Sequence, residues 1–243
     1  MPILSIIVPC YNSEEYIKET IDSIKAQKLQ DWECIIVNDG STDKSEAIIS
    51  ENIANDPRFK LITTENGGVA RARNIALSES VGKYILPVDS DDVLMPDYAY
   101  NAVKFLEENP DYSLYYGCVQ YFGMGDFIEY PMWINYRQML LQDCICVTAI
   151  YRREHGIKVG GYNESLEAME DYDFWIRYLY HNDKVKISRE VGFKYRNHPD
   201  SRHHSVSFEK KKEIRKEIIQ LNREIYGEYR KFFGDRYCDS NGI

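Results

Sequence analysis

Residues 84–92 of the chain read Tyr-Ile-Leu-Pro-Val-Asp-Ser-Asp-Asp, an apolar run that ends in three carboxylates. The run is short, rich in β-forming residues and preceded by Gly82 and Lys83, which is typical of a buried strand. Three carboxylates at the end of such a strand repel one another, and a hard divalent cation relieves this repulsion most simply. The alternative is a solvated helix cap, because Asp is a common N-cap residue and a helix is predicted near Pro96.

Strands and helices alternate through the first hundred residues. Strands are predicted at 3–9, 33–38, 59–64 and 83–89, and helices at 13–27, 42–54, 69–78 and from about 96 to 108. The connections between them are short. This order favours an α/β fold with a parallel, doubly wound sheet flanked by helices.

The second half of the chain has weaker patterns. Strands are predicted at 112–119 and 144–151, helices at 168–180 and 208–233, and residues 185–195 alternate less cleanly. Residues 120–142 are rich in aromatic side chains but follow no clear period. Because no linker or repeat interrupts the sequence, we predict a single domain over residues 1–243 with a variable second half.

The composition limits the classes of partner. The chain has 243 residues and a formal net charge of −9, so no overall basic field would attract a nucleic acid. The sequence has no run of eighteen apolar residues, so no transmembrane helix is predicted. The amino-terminal residues are better explained as a first strand than as a signal peptide. The six cysteines form no C-x-x-C pair, so we expect reduced thiols and a cytoplasmic protein.

Polar and charged side chains follow four predicted strands. In an open parallel sheet, ligands bind beyond the carboxyl ends of the strands. The segments at those ends are Pro9-Cys10-Tyr11-Asn12, Asn38-Asp39-Gly40-Ser41, Asn66-Gly67-Gly68 with Arg71-Ala72-Arg73-Asn74, and Asp89-Ser90-Asp91-Asp92. Together they offer an aromatic ring for a base, a carboxylate for a base or ribose, and metal and Arg for phosphates. Taken singly, Asp39 could belong only to a turn and Tyr11 could be only a packed ring.

These segments resemble the motifs of family 2 glycosyltransferases, which are inverting, nucleotide-sugar-dependent enzymes of the GT-A fold. The resemblance rests on Val8-Pro9-Cys10-Tyr11-Asn12, Val37-Asn38-Asp39-Gly40-Ser41-Thr42-Asp43, Gly67-Gly68-Val69-Ala70-Arg71-Ala72-Arg73-Asn74, Asp89-Ser90-Asp91-Asp92, Gly160-Gly161-Tyr162-Asn163-Glu164-Ser165 and Glu170-Asp171-Tyr172-Asp173-Phe174-Trp175-Ile176-Arg177. It implies a Rossmann-like, mostly parallel sheet with a variable acceptor-side second half. It also implies transfer of a sugar, with UDP the favoured nucleotide, in the synthesis of cell-surface polysaccharide or glycan.

The resemblance also implies roles for the matched positions. Tyr11 and Asp39 would hold the base with Arg73 nearby, and Asp89 and Asp91 are the acids of the family's D-x-D motif. The full implied nucleotide-binding set is Pro9, Tyr11, Asn12, Asp39, Arg73, Asp89 and Ser90. A divalent cation, Mn²⁺ or Mg²⁺, would lie at Asp91 and Asp89. His198 is implied as a third metal-side residue, and an exposed loop histidine is the alternative.

The catalytic base implied by the resemblance is Asp171. Its spacing in the predicted helix 168–180 places it on one face with Trp175 and Tyr178. An Asp in a first helical turn can also serve only as a partner of the helix dipole. Asp173 competes for the role of base, but it is predicted to face elsewhere. The implied reaction is direct displacement at the anomeric carbon.

The predicted domain divides into a nucleotide-sugar half (1–110), an acceptor and catalytic half (111–205) and a helical extension (206–243). The expected partners are a nucleotide-sugar donor and a saccharide or lipid-linked saccharide acceptor. Residues 208–231 carry eight Lys and Arg against five Glu, a local charge of +3. That helix could contact the inner face of the cell membrane, or pack on its own domain or on a second subunit of a homodimer.

Two other functions stay open from the residues. A nucleotidyltransferase would normally carry a Gly-rich loop with Lys or Arg after the first strand, whereas residues 10–15 have neither. A sugar-nucleotide-binding module without turnover would not need the acids at positions 89, 91 and 171.

Overall fold

The computed structural model describes residues 1–131, 134–199, 201 and 206–234. The strands are β1 (Leu4–Cys10), β2 (Trp32–Asp39), β3 (Phe59–Thr64), β4 (Tyr84–Pro87), β5 (Val93–Leu94), β6 (Leu114–Gly123), β7 (Phe127–Glu129), β8 (Ile150–Arg152) and β9 (Val185–Asn197). The helices are α1 (Ile17–Lys25), α2 (Ser45–Ile53), α3 (Val69–Glu79), α4 (Tyr98–Glu108), α5 (Tyr136–Leu141), α6 (Arg153–Lys158), α7 (Glu170–His181), α8 (Phe208–Leu221) and α9 (Arg223–Phe233).

All described strands join one sheet in the order β3-β2-β1-β4-β8-β6-β9-β5, with β7 paired to β6. The first four strands are parallel, and every residue of β1 and β4 is buried. Helices cover both faces of a sheet of this kind, which explains why its central strands β1 and β4 are mainly apolar. The predicted α/β fold with a doubly wound parallel half is confirmed.

The second half makes the sheet mixed. Strand β8 pairs antiparallel with β4 and β6, while the long β9 runs parallel to β6. Beside the bulge in this pair, a Cβ atom on Gly117 would lie 2.9 Å from the Cα atom of Gly192. Glycines therefore allow the two backbones to approach closely there. At its far end β9 also pairs with β5, directly after the acids that follow β4.

Helix α7 is deeply buried. Six of its side chains have no exposed surface: Tyr172, Phe174, Trp175, Ile176, Tyr178 and Leu179. The rings of Phe174, Trp175 and Tyr178 pack with one another and with Tyr151 of β8. Burial of so much aromatic surface fixes the position of the helix and of its first turn.

Three predicted elements differ from the structure. Helix α1 begins at Ile17 rather than at residue 13, because the Ser13 carbonyl accepts the N–H groups of Tyr16 and Ile17 in a preceding turn. The predicted strand 144–151 is wrong except at its end. The Cys146 N–H donates to the hydroxyl of Tyr116 instead of to a neighbouring strand.

The predicted helix 208–233 is two helices, α8 and α9, that meet at Asn222. The Asn222 amide donates to the Asp173 carboxylate at 2.7 Å and to the Ile218 carbonyl at 2.9 Å. Side chains of both helices, including Ile218 and Tyr226, are buried against the domain. The apolar face of this extension is therefore packed on its own chain. Residues 235–243, with Cys238, lie outside the described part.

Within the described residues, no helix has the length and apolarity needed to cross a bilayer. Five cysteines of the described ranges are free thiols. Burial raises the pKa of the Cys10 thiol to about 11 and that of Cys34 well above its usual value. Thiols of this kind are inert side chains of the core.

Candidate active site

One edge of the candidate site is formed by the loops that follow β1, β2 and β3. The Asp39 side chain is 3% exposed, and its two carboxylate oxygens accept the N–H groups of Gly67 and Gly68 at 2.8 Å each. Gly68 has φ +89°, a conformation that favours glycine, and it directly precedes α3. Asp39 therefore holds the glycine turn in place, and its contact with a base stays a prediction. Tyr11, in the loop that follows β1, is 50% exposed.

The other predicted nucleotide-binding residues tie the loops together. Asn12, with φ +47°, accepts the Thr42 N–H at 2.8 Å through its side-chain oxygen. The Ser90 hydroxyl lies 2.7 Å from that of Ser13, and Pro9 is buried inside β1. The structure thus brings these residues to one edge, with Asn12 and Ser90 bonded to neighbouring loops.

The three acids after β4 have three different environments. Asp92 is 1% exposed and accepts the backbone N–H of Arg196 at 2.9 Å. Burial, with the charges of Asp91 and Asp89, raises its pKa well above the usual value. Asp91 is partly exposed, and one of its oxygens lies 3.0 Å from Nε2 of His198. Asp89 faces the guanidinium of Arg73.

Arg73 joins the two halves of the domain. Its side chain is 4% exposed, and it binds Asp89 at 2.6 Å and Glu170 at 2.7 Å. Glu170 is the first residue of α7 and the neighbour of Asp171. A buried Arg that is bonded to two carboxylates is strongly held, because losing either partner would leave a buried charge unpaired. The position of Arg73 near the base stays a prediction, and the sequence did not predict its ion pairs.

Asp171 lies in the first turn of α7 and is partly exposed. Burial and the charge of Glu170 raise its pKa to about 6, although Arg73 opposes the shift. The residue before this turn, Met169, has φ +61° and ψ +27°. Left-handed backbone at a residue other than glycine is strained, and such strain concentrates at functional sites. A carboxylate with a pKa near neutrality is suited to take up a proton.

Asp173 has a structural environment. It is 1% exposed and binds the Arg177 guanidinium at 2.6 Å and the Asn222 amide at 2.7 Å. The prediction that Asp171 and Asp173 face different surroundings is confirmed.

Two of the three predicted metal-side residues, Asp91 and His198, lie in contact, whereas Asp89 is bonded to Arg73. His198 approaches Asp91, and its ring packs 4.8 Å from that of Tyr16. Among the described residues, no group hydrogen-bonds the buried Nδ1 atom of His198. Nor does this part of the chain hold a ready-made group of three or more His, Cys, Asp or Glu side chains for a metal. The carboxylates of Asp89 and Asp91 fit Mn²⁺ or Mg²⁺ in donor chemistry, because both ions prefer oxygen ligands.

Residues 5–160 match the sequence profile of Glycosyl transferase family 2. The chain belongs to this family. A relative from Methanocaldococcus jannaschii, an uncharacterized glycosyltransferase, is 32% identical over 205 residues, which are 80% of this chain and 71% of the relative. The chondroitin synthase of Pasteurella multocida is 33% identical over 183 residues, 73% of this chain. The chain spans only 19% of that synthase.

Solved structures show the GT-A fold for this chain. S. aureus TarS (residues 1–349) in complex with UDP-GlcNAc superposes with a TM-score of 0.77 at 24% identity, over 90% of this chain and 65% of that one. The Pyrobaculum calidifontis mannosyltransferase PcManGT, in complex with GDP-Man and Mn²⁺, gives a TM-score of 0.64 at 20% identity. That match covers 84% of this chain and 59% of the mannosyltransferase.

Proposed function

We propose that the protein is an inverting glycosyltransferase that moves a sugar from a UDP-linked donor to an acceptor hydroxyl, in the synthesis of cell-surface polysaccharide or glycan. The observation that carries this proposal is the buried Arg73, which binds Asp89 on the donor side and Glu170 beside Asp171. One guanidinium thereby fixes the proposed donor site against the proposed base. Sugar transfer needs a fixed distance between the donor and the base, because a reaction is fastest when the reacting groups are held close and in line.

Asp171 is the proposed general base. It takes the proton from the acceptor hydroxyl while that oxygen attacks the anomeric carbon from the face opposite the leaving nucleoside diphosphate. Proton removal by a positioned carboxylate contributes typically about 10²–10⁴-fold to the rate. The bond to the nucleotide breaks as the new glycosidic bond forms, so no protein nucleophile is required.

The proposed donor site combines the exposed ring of Tyr11, the glycine turn held by Asp39, and the acids after β4. The complex of TarS with UDP-GlcNAc supports a UDP-linked donor. Asp91, with Asp89 and His198, would hold Mn²⁺ or Mg²⁺, which when bound neutralises the charge that grows on the leaving diphosphate.

A panel of nucleotide sugars tests the proposal. In the presence of Mn²⁺, the correct donor should raise the unfolding temperature, because a ligand that binds only the native state stabilises it. The same donor should release nucleoside diphosphate when acceptors are supplied. Stabilisation without release would support a binding module instead. Formation of pyrophosphate from a nucleoside triphosphate and a sugar 1-phosphate, measured on the same protein, would support a nucleotidyltransferase.

The proposed partners include a lipid-linked acceptor at the inner face of the cell membrane, with the protein otherwise cytoplasmic. The charged outer face of α8 is the proposed contact, since its apolar face is packed on the domain. Sedimentation with anionic vesicles at low salt tests this contact, and absence of binding would make the extension purely structural. Sedimentation velocity of the free protein tests a homodimer.

A further inference from the structure

Three aromatic rings form a row across neighbouring strands. Phe127 of β7 pairs with Tyr121 of β6, and Tyr121 pairs with Tyr195 of β9. Residues paired in this way point to the same face of a sheet. The rings of Phe127 and Tyr121 are stacked, with centroids 4.3 Å apart and planes at 9°, and the Tyr195 ring follows at 5.2 Å.

The inner end of the row lies beside the acidic cluster. After burial, the charges of Asp89 and Asp92 contribute most to raising the pKa of the Tyr195 hydroxyl. The next residue along β9, Arg196, is bonded through its backbone to Asp92. The outer end is open, since Phe127 is 56% exposed. Ile128 and Tyr130 beside it are exposed as well, and a contiguous exposed apolar patch is typical of an interaction site.

A carboxylate accompanies the rings. Glu129, two residues along β7 from Phe127, accepts the Tyr121 hydroxyl at 2.9 Å.

We propose that Phe127, Tyr121 and Tyr195, together with Glu129, bind the acceptor as a neutral saccharide. A pyranose has an apolar C–H face that covers aromatic rings, and its hydroxyl groups donate to carboxylates. The row ends beside the acids after β4, so a sugar on it lies next to the proposed donor site. Glu129 disfavours acceptors with a uronate or phosphate group at this subsite, because like charges repel there. The inference rests on the proposed function, since it assigns the acceptor of that reaction.

Saturation-transfer NMR with simple glycosides tests the assignment. The neutral probes are the methyl β-glycosides of glucose, galactose, N-acetylglucosamine and N-acetylgalactosamine, and the anionic probe is methyl β-glucuronide. At least one neutral probe should bind the wild-type protein and the glucuronide should bind less well. Phe127→Ala should weaken binding by about three- to tenfold, the range expected for one aromatic contact. Phe127→Tyr should keep it.

The matched control is Ile128→Ala, which changes the next residue of the same strand, on its opposite face. This variant should bind the probes like wild type, and thermal unfolding should show all variants folded. Failure of every neutral probe to bind, or equal effects of Phe127→Ala and Ile128→Ala, would overturn the acceptor assignment. Binding of a nucleotide sugar is measured on the same samples. If that binding is retained, the proposed function stands even when the acceptor assignment fails; if it is absent, the proposed function fails by itself.

Discussion

Replacing Asp171 by Asn should make the protein more stable and less active at the same time. The pKa of Asp171 is raised from 3.8 to about 6, and one pKa unit corresponds to about 1.4 kcal/mol. The ionised carboxylate therefore lowers the free energy of unfolding at pH 8 by up to about 3 kcal/mol. This figure is an upper value, because the charges of Glu170 and Arg73 contribute to the pKa shift and change with the Asp171 charge. Asn keeps the shape of the side chain and removes the charge.

The sign of the effect fixes its pH dependence. The folded state holds the Asp171 proton more tightly than the unfolded state does, so this cost is absent below pH 3.8 and grows to its full value above about pH 6. The gain from Asp171→Asn in thermal unfolding should accordingly be several degrees at pH 8 and vanish near pH 4. Turnover at pH 8 should fall by about 10²-fold or more, in kcat rather than in donor KM.

Asp173→Asn is the matched control in the same helix. It weakens the ion pair with Arg177 and changes the partner of Asn222, so it should lower stability by about 3 kcal/mol, as loss of a buried charged partner does. The kcat of the folded protein should change little. A destabilised Asp171→Asn, or a larger loss of kcat in Asp173→Asn, would refute the assignment of these two carboxylates.

Three further predictions concern the donor side and pH. The kcat of the wild-type protein should rise with pH through about 6, as Asp171 loses its proton; a flat pH–rate profile between pH 5 and 8 would contradict this. Asp91→Asn should abolish the stabilisation that Mn²⁺ gives in the presence of nucleoside diphosphate, and a chelator should stop turnover of the wild type until metal is restored. Asp39→Ala should weaken nucleoside diphosphate binding by about 1–3 kcal/mol, measured by calorimetry, because the glycine turn loses two hydrogen bonds; unchanged affinity would remove Asp39 from the site.

The sequence predicts the parallel half of the fold well because that half is encoded locally. The central strands β1 and β4 are mainly apolar and fully buried, and the acids that follow β4 stand directly next to it. The same adjacency predicts which side chains meet at the strand ends. The resemblance then selects Asp171 from the acids of α7, and its separation from Asp173 follows from helical geometry.

Contacts between distant residues explain what the sequence does not predict. The ion pair of Arg73 with Glu170 spans 97 positions, and nothing near either residue indicates it. The break at Asn222 depends on Asp173, which lies in another helix. Helical periodicity therefore predicts one continuous helix across this position. The ring row from Phe127 to Tyr195 is formed by strand pairing, within a segment whose aromatic residues have no period of their own.

The central claim is that Asp171 serves sugar transfer and not donor binding. The most direct measurement compares wild type and Asp171→Asn with the same nucleotide sugar, Mn²⁺ and acceptor, and follows donor affinity and glycosylated product together. We predict equal donor affinity in both proteins, and product from the wild type at a rate about 10²-fold or more above that of the variant. Equal product formation by the two proteins, or loss of donor binding in the variant, would contradict the account.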